Sequence, residues 1–218
     1  MGPVRGPAGP AASSVGPPAP EGRRRLNRLT LRGSRTVHKG WLDLVIGRFR
    51  DADGHEVVRE IVRHGRAAAV LPYDPERKTA ILVRLPRAPV IWAGGPQTML
   101  EAPAGMLDGD EPDVCARREA MEETGLRLTT LEPVVRAWTS PGMCTEQTDL
   151  FLAPYSAADR VEAGGGVAEE HEDIVVEEWK LADLWATFEA GGIEDLKTVA
   201  LILALRVRRP EVFDSPVK

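Results

Sequence analysis

Three glutamates lie within five positions of the segment RREAMEETG, residues 117–125. In a helix of 3.6 residues per turn, Glu119, Glu122 and Glu123 occupy positions i, i+3 and i+4 and therefore lie on one side. This pattern is typical of a solvated helix face, on which Arg118 bonds Glu122, but it is equally typical of a cation site. Carboxylate oxygens on a rigid helix suit a hard ion such as Mg²⁺, which commonly bridges to substrate phosphates.

A helix over residues 112–124 is predicted from the signals at its two ends. Asp110 or Glu111 can cap its start, and Pro112 suits its first position. Gly125 suits the left-handed residue that follows a helix. The residues expected to face the core are Val114, Cys115, Ala120, Met121 and Leu126.

The elements around this helix are mostly predicted strands. Runs of β-favouring residues between turn signals predict strands over 29–35, 42–49, 56–63, 67–72, 79–84, 99–102, 134–138, 148–152 and 174–179. Two more helices are predicted at about 181–190 and 195–208. Strands that precede and flank a central helix, with further helices at the end, indicate an α+β fold or a mixed α/β sandwich.

The composition predicts one domain and a tail of different character. The chain has 218 residues, of which 43% are hydrophobic, and no run of about 18 apolar residues suggests a membrane span. Residues 1–25 contain six prolines, five glycines and four arginines, which predicts a disordered tail. This tail lacks the apolar middle of a secretory signal, so a cytoplasmic location is expected.

The rest of the chain carries an excess of negative charge. Without the tail, 24 basic and 32 acidic residues remain, a net charge of about −8. Such a surface repels phosphate backbones, so nucleic acid is not an expected partner and an anionic ligand would need metal ions as intermediaries. Cys115 and Cys144 form no CxxC pair, which argues against a zinc site or a disulfide framework.

The segment from Gly105 to Leu126 resembles the Nudix box. That pattern is Gly, five residues, Glu, seven residues, Arg-Glu, an aliphatic residue, any residue, Glu-Glu, any residue, Gly and an aliphatic residue. The matching positions are Gly105, Glu111, Arg118, Glu119, Glu122, Glu123, Gly125 and Leu126. Six residues rather than seven separate Glu111 from Arg118, and Ala120 stands at the aliphatic position.

The short spacing resembles the branch of the family formed by the GDP-mannose and ADP-ribose pyrophosphatases. The other segments similar to this branch are 101–112, 140–146, 163–167, 172–174 and 197–198. The resemblance implies a Nudix-type α/β/α sandwich with a mixed sheet over residues 67–209. It also implies a preceding antiparallel strand layer over residues 26–66, which would help to form a homodimer.

The resemblance further implies a role for single residues of the box. Mg²⁺, or Mn²⁺ in its place, would be held by Glu119, Glu122, Glu123, Glu172 and the main-chain carbonyl of Ala104. Gly105, Arg118 and Gly125 would be structural, with Arg118 orienting a glutamate.

The catalytic base and the substrate contacts are expected outside the box. Glu146 and Glu170 are the two candidates for the base, and both stay open. The residues expected to bind substrate are Arg87, Arg84 and Glu101. The tryptophans that could stack on a nucleobase are Trp41, Trp92 and Trp138. None of the four histidines shows metal-ligand spacing.

The implied activity is the hydrolysis of a nucleoside diphosphate sugar to a nucleoside monophosphate and a sugar 1-phosphate. One alternative is a nucleoside triphosphate pyrophosphatase of the MutT type, against which the N-terminal strand layer and the glutamate-rich loop argue. The other alternative is a catalytically silent Nudix module that senses a ligand. Its three mutually repelling glutamates would then have no purpose.

Overall fold

The computed structural model describes residues 28–166 and 173–214. The predicted tail over residues 1–25 lies outside this part of the chain, as do Glu170 and Glu172. Within the described residues, no helix is both long enough and apolar enough to cross a membrane.

A three-stranded antiparallel sheet comes first. It contains β1 (Thr30–Lys39), β2 (Asp43–Arg50) and β3 (Glu56–Arg63), in that order across the sheet. All residues of β1 are exposed, whereas β2 buries Val45. The predicted antiparallel layer is therefore confirmed, and its first strand extends beyond residue 35 to residue 39.

The second sheet has seven strands and is mixed. Its strands are β4 (Arg66–Asp74), β5 (Thr79–Leu85), β6 (Met99–Glu101), β7 (Ala104–Met106), β8 (Glu132–Trp138), β9 (Gln147–Pro154) and β10 (Val175–Lys180). The order is β10-β5-β4-β9-β8, with β6 paired to β5 and β7 paired to β4. Only β4 and β9 pair in parallel within the described part of the sheet.

Helices cover both faces of this sheet. They are α1 (Ala88–Trp92), α2 (Pro112–Thr124), α3 (Leu181–Glu189) and α4 (Leu196–Arg208). Strand β4 has a side-chain period of two, so Ala68 and Val70 pack with the small residues of α2. Ala69 and Leu71 pack with α3 and α4 on the other face. The predicted α/β/α sandwich with a mixed sheet is confirmed.

The structure differs from the sequence predictions in three local details. Helix α1 and strand β7 are too short to give a periodic pattern, and the sequence did not predict them. Glu111 is the N-cap residue of α2, but its side chain caps no backbone N–H. Val114 is 50% exposed rather than in the core, because Cys115 and Ala116 turn towards β4 instead.

Candidate active site

Helix α2 ends in a tight left-handed turn, as the sequence predicts. Gly125 has φ of 71°, and the N–H groups of Gly125 and Leu126 donate to the carbonyls of Met121 and Ala120. A Cβ at residue 125 would lie 2.1 Å from the carbonyl oxygen of Glu162, so this position requires glycine for space as well as for its backbone angle.

Strand β7 lies directly against the carboxylates of α2. A Cβ at Gly105 would lie 2.0 Å from Glu119 Oε1, which is far inside contact distance. The N–H of Ala104 donates to Glu123 Oε2 at 3.2 Å. Gly105 therefore allows the helix and the strand to approach closely, and the two elements together place the carboxylates.

The interpretation of the three glutamates as a solvated face is wrong. Glu119 and Glu123 are only 8% and 3% exposed, and Glu122 is half-buried. We call Glu119, Glu122 and Glu123 the α2 carboxylates. Two of them, Glu119 and Glu123, thus lie on the buried side of the helix. Burial of charge is costly unless partners compensate it.

Arg118 is one such partner and also ties the helix to β7. Its Nη1 lies 2.8 Å from Glu119 Oε1 and donates to Glu122 Oε2 at 3.1 Å, which confirms the predicted i+4 bond. Its Nη2 donates to the carbonyl of Met106 at 2.9 Å. Burial alone would lower the pKa of Arg118, but the neighbouring carboxylates Glu119 and Glu122 raise it by more. The pKa therefore lies above its usual value, and the guanidinium stays charged.

A cavity of about 700 Å³ opens in front of α2 and β7. Its charged lining residues are Arg87, Glu101, Asp108, Arg118, Glu119, Glu122, Glu146, Glu194, Asp195 and Lys197. Seven carboxylates thus face three side-chain cations, so this central cavity attracts cations and repels a diphosphate that arrives without them.

A second part of the cavity wall is formed by a compact ion cluster, Arg87, Glu101 and Lys197, which we call the Glu101 cluster. Arg87 Nε and Nη2 donate to the two oxygens of Glu101 at 2.8 and 2.9 Å, and Lys197 also bonds this carboxylate. Burial alone would raise the pKa of Glu101, but the hydrogen bond from Arg87 and the charge of Lys197 lower it to about 2. Glu101 therefore holds two cations at the edge of the cavity.

Glu146 lies in the same cavity, near His64. Glu146 Oε2 is 3.1 Å from His64 Nδ1, and its other oxygen accepts from Thr148 Oγ1 at 3.5 Å. Of the two candidate bases, Glu146 is the one within the described residues, and the structure brings it to the cavity that Glu119 and Glu122 line. Glu123 is not among the residues that line this cavity and lies behind them against the N–H of Ala104.

The two predicted arginines have different positions. Arg87 lines the central cavity, whereas Arg84 donates from Nε and Nη2 to Glu177 on β10 and lines a smaller, adjoining cavity of about 210 Å³. The three tryptophans are also separated, because Trp41 lines the central cavity while Trp138 lines a neighbouring cavity of about 270 Å³. Trp92 is 90% exposed on α1.

Residues 63–200 match the family model described as NUDIX domain. The chain belongs to the Nudix family. The GDP-mannose pyrophosphatase of Cronobacter sakazakii is 45% identical over 151 residues, which cover 69% of this chain and 78% of that protein. The GDP-mannose pyrophosphatase of Citrobacter koseri is 40% identical over 146 residues, covering 66% and 75%.

A solved structure supports the fold of this Nudix chain. The crystal structure of an ADP compounds hydrolase matches it with a TM-score of 0.69, covering 85% of this chain and 96% of that one. Since the two sequences are 19% identical, this likeness shows the fold alone. The family match confirms the prediction of a Nudix hydrolase.

The donors of this Nudix site fit a hard divalent cation. The α2 carboxylates offer oxygen atoms only, as Mg²⁺ prefers. The nearby thiol of Cys115 is buried, donates to the carbonyls of Gly105 and Met106, and does not line the cavity; burial raises its pKa to about 11. Another group of possible ligands, Asp51, Asp53 and His55, lies in the β2–β3 turn and does not line the cavity.

The glycine run after the box is fixed to the end of α2. The N–H groups of Gly165 and Gly166 donate to the carbonyls of Glu123 and Glu122 at 2.8 and 3.0 Å. Gly164 has φ of 74°, and a Cβ there would lie 2.5 Å from the carbonyl oxygen of Glu123. The last turn of α2 therefore has its carbonyl groups bonded by this segment, which precedes the undescribed residues 167–172.

Sequence reasoning assigned no role to several polar residues that line the cavity, namely His64, Asp108, Glu194, Asp195 and Lys197. Lys197 lies in the first turn of α4. The Lys-Thr pair at 197–198 resembles the family branch, but that resemblance did not predict a role for Lys197. His64 has no motif around it and meets a residue 82 positions away, so sequence spacing could not indicate the contact.

Proposed function

We propose that this protein hydrolyses the diphosphate of a nucleoside diphosphate sugar, with GDP-mannose as the leading substrate. The observation that carries the proposal is the central cavity, where Glu119 and Glu122 of α2, Glu146 and the Glu101 cluster meet. The GDP-mannose pyrophosphatases related at 40–45% identity support the substrate class. The products would be a nucleoside monophosphate and a sugar 1-phosphate.

The α2 carboxylates and the main-chain carbonyl of Ala104 would hold Mg²⁺, or Mn²⁺ in its place. When bound, the metal would neutralise the diphosphate and lower the pKa of the attacking water. A cavity with seven carboxylates and three cations needs such positive charge before it can accept an anionic substrate.

The chain's other residues would bind the substrate and move the proton. Glu146 would accept a proton from the attacking water, since its carboxylate lines the cavity. Arg87, held by Glu101, would bind a phosphate oxygen. Gly105, Arg118 and Gly125 would keep the α2 carboxylates in place. Glu170 as an alternative base and Glu172 as a further ligand remain predictions, because both lie outside the described residues.

The homodimer, the cytoplasmic location and the division at residue 66 also remain predictions. The exposed apolar side chains of the three-stranded sheet support a dimer. They include Leu31, Val37 and Val58, at 57%, 40% and 48% exposed. Sedimentation of the full-length protein would test this directly.

The test is turnover of a substrate panel. The full-length protein would be incubated with Mg²⁺ and GDP-mannose, ADP-ribose, other nucleotide sugars and nucleoside triphosphates. GDP-mannose should give GMP and mannose 1-phosphate, and hydrolysis in ¹⁸O-labelled water should place one label on a single product. Inactivity towards all diphosphate sugars would overturn the proposal. Preference for triphosphates would favour the MutT-type alternative.

A pair of variants would separate the two candidate bases. Glu146→Gln and Glu170→Gln differ from the native residues by one neutral amide each. Loss of the true base should lower kcat by about 10²-fold or more while Mg²⁺ binding is retained. We expect that loss for Glu146→Gln.

A further inference from the structure

The end of β3 is bound to the loop that carries Glu146. The N–H of Val62 donates to the carbonyl of Met143 at 2.8 Å, and the N–H of Thr145 donates to the carbonyl of Val62 at 3.0 Å. The hydroxyl of Thr145 accepts from the N–H of His64 and donates to its carbonyl, each at 2.9 Å. These four bonds fix the backbone of residue 64 beside residue 146.

The side chain of His64 lies between Trp41 and Glu146. Nδ1 of His64 is shielded from solvent and lies 3.1 Å from Glu146 Oε2, at ion-pair distance but off the direction of a hydrogen bond. On the other side, the rings of Trp41 and His64 form a T-shaped contact with centroids 5.6 Å apart. A polar atom that is buried away from water is costly without a polar partner. The burial of His64 Nδ1 therefore favours a position of the Glu146 carboxylate close to it.

We propose that His64 is a positioning residue that holds the Glu146 carboxylate towards the central cavity. This inference rests on the proposed function, in which Glu146 accepts the proton of the attacking water. Glutamate has several rotatable bonds, so a base on this side chain must be restrained to face the water. His64 restrains Oε2, and Thr148 lies beside Oε1 at 3.5 Å.

The first experiment compares His64→Ala with His64→Asn. Asparagine keeps a side-chain N–H near the place of Nδ1, whereas alanine removes it. With Mg²⁺ and GDP-mannose, His64→Ala should lower kcat by about tenfold or more and leave KM within about twofold, because only the base is displaced. His64→Asn should recover most of kcat. His55→Ala removes an exposed histidine in the β2–β3 turn and should match the wild type.

The second experiment asks whether His64 acts through Glu146. In the Glu146→Gln background, His64→Ala should cause little further loss, since the group that it positions is already inactive. Equal losses in both backgrounds would overturn the inference, as would a change confined to KM. Thermal unfolding of each variant identifies losses that come from misfolding alone.

A substrate-free measurement separates this inference from the proposed function. The imidazole ¹⁵N signals of His64 in the full-length protein should shift on Glu146→Gln and remain unchanged on Glu177→Gln. Unchanged signals in both variants would overturn the contact even if GDP-mannose is hydrolysed. A wild-type protein without any turnover would overturn the proposed function and the positioning role together, while the ¹⁵N shift would still report the contact.

Discussion

Two walls of the central cavity use buried carboxylates in opposite ways. On the α2 wall, one guanidinium, that of Arg118, contacts three carboxylates, those of Asp110, Glu119 and Glu122. On the second wall, two cations, Arg87 and Lys197, contact the carboxylate of Glu101, and Lys197 also lies 3.0 Å from Asp195. The first wall therefore presents negative charge to the cavity. The second wall presents the N–H donors of Arg87 and Lys197, which are paired with the carboxylate of Glu101.

This difference separates a ligand site from a support. A carboxylate with two cations is compensated within the fold, so its main effect is on stability and on the position of its partners. Several carboxylates around one cation retain an attraction for a further positive ion. Substitutions on the two walls should therefore divide between activity and stability.

The largest effect is expected for Glu122→Gln on the α2 wall. The substitution removes one negative charge from the proposed metal site, so kcat should fall by about 10³-fold. The free energy of unfolding should change by no more than about 0.5 kcal/mol, because the half-buried Arg118–Glu122 pair contributes little. Steady-state kinetics over a Mg²⁺ titration and denaturant unfolding measure the two quantities.

Glu101→Gln should have the reverse signature. It leaves Arg87 without its buried counter-charge and Lys197 with Asp195 alone, which should cost about 3 kcal/mol of unfolding free energy. Glu177→Gln is a matched control, since Glu177 also receives Nε and Nη2 of an arginine but is more exposed. The control should cost under about 1 kcal/mol in urea unfolding. Equal costs would remove the distinction between the walls.

The pH dependence of stability should identify the same residue. Glu101 has its pKa lowered from 4.5 to about 2, so the folded state favours its ionised form. Its contribution is complete above about pH 4.5 and is lost as the pH falls towards about 2. The stability difference between wild type and Glu101→Gln should therefore be constant near neutral pH and shrink below about pH 4.5. A difference that instead grew on acidification would show that another group dominates.

Gly105→Ala should disturb the α2 wall without a change of charge. The added Cβ would meet Glu119 Oε1 at 2.0 Å, and the carboxylate end can move where the backbone cannot. A displacement of about 1 Å at a catalytic site can cost about 10²-fold in rate, and we expect a kcat loss of that order. Gly142→Ala has no atom within 4 Å of the new Cβ and should keep wild-type kinetics.

The sequence predicted most of the fold because its strands and long helices carry period and turn signals. A local spacing of three and four placed the α2 carboxylates on one side, and the resemblance to the Nudix box implied that they hold a metal. It could not predict their burial, which depends on the close approach of Gly105 from another strand. The contact between His64 and Glu146 joins distant segments and has no local pattern.

Arg87→Lys and Arg84→Lys form the last and smallest comparison. Both arginines were predicted to bind substrate, but only Arg87 lines the central cavity. Lysine keeps the charge but cannot pair with both oxygens of Glu101 and still donate to a phosphate, so Arg87→Lys should raise KM for GDP-mannose by about tenfold. Arg84→Lys should leave KM unchanged, because its partner Glu177 lies on β10. An equal rise in KM for both variants would mean that substrate also contacts the smaller cavity beside Arg84. The two walls would then not form the whole binding site.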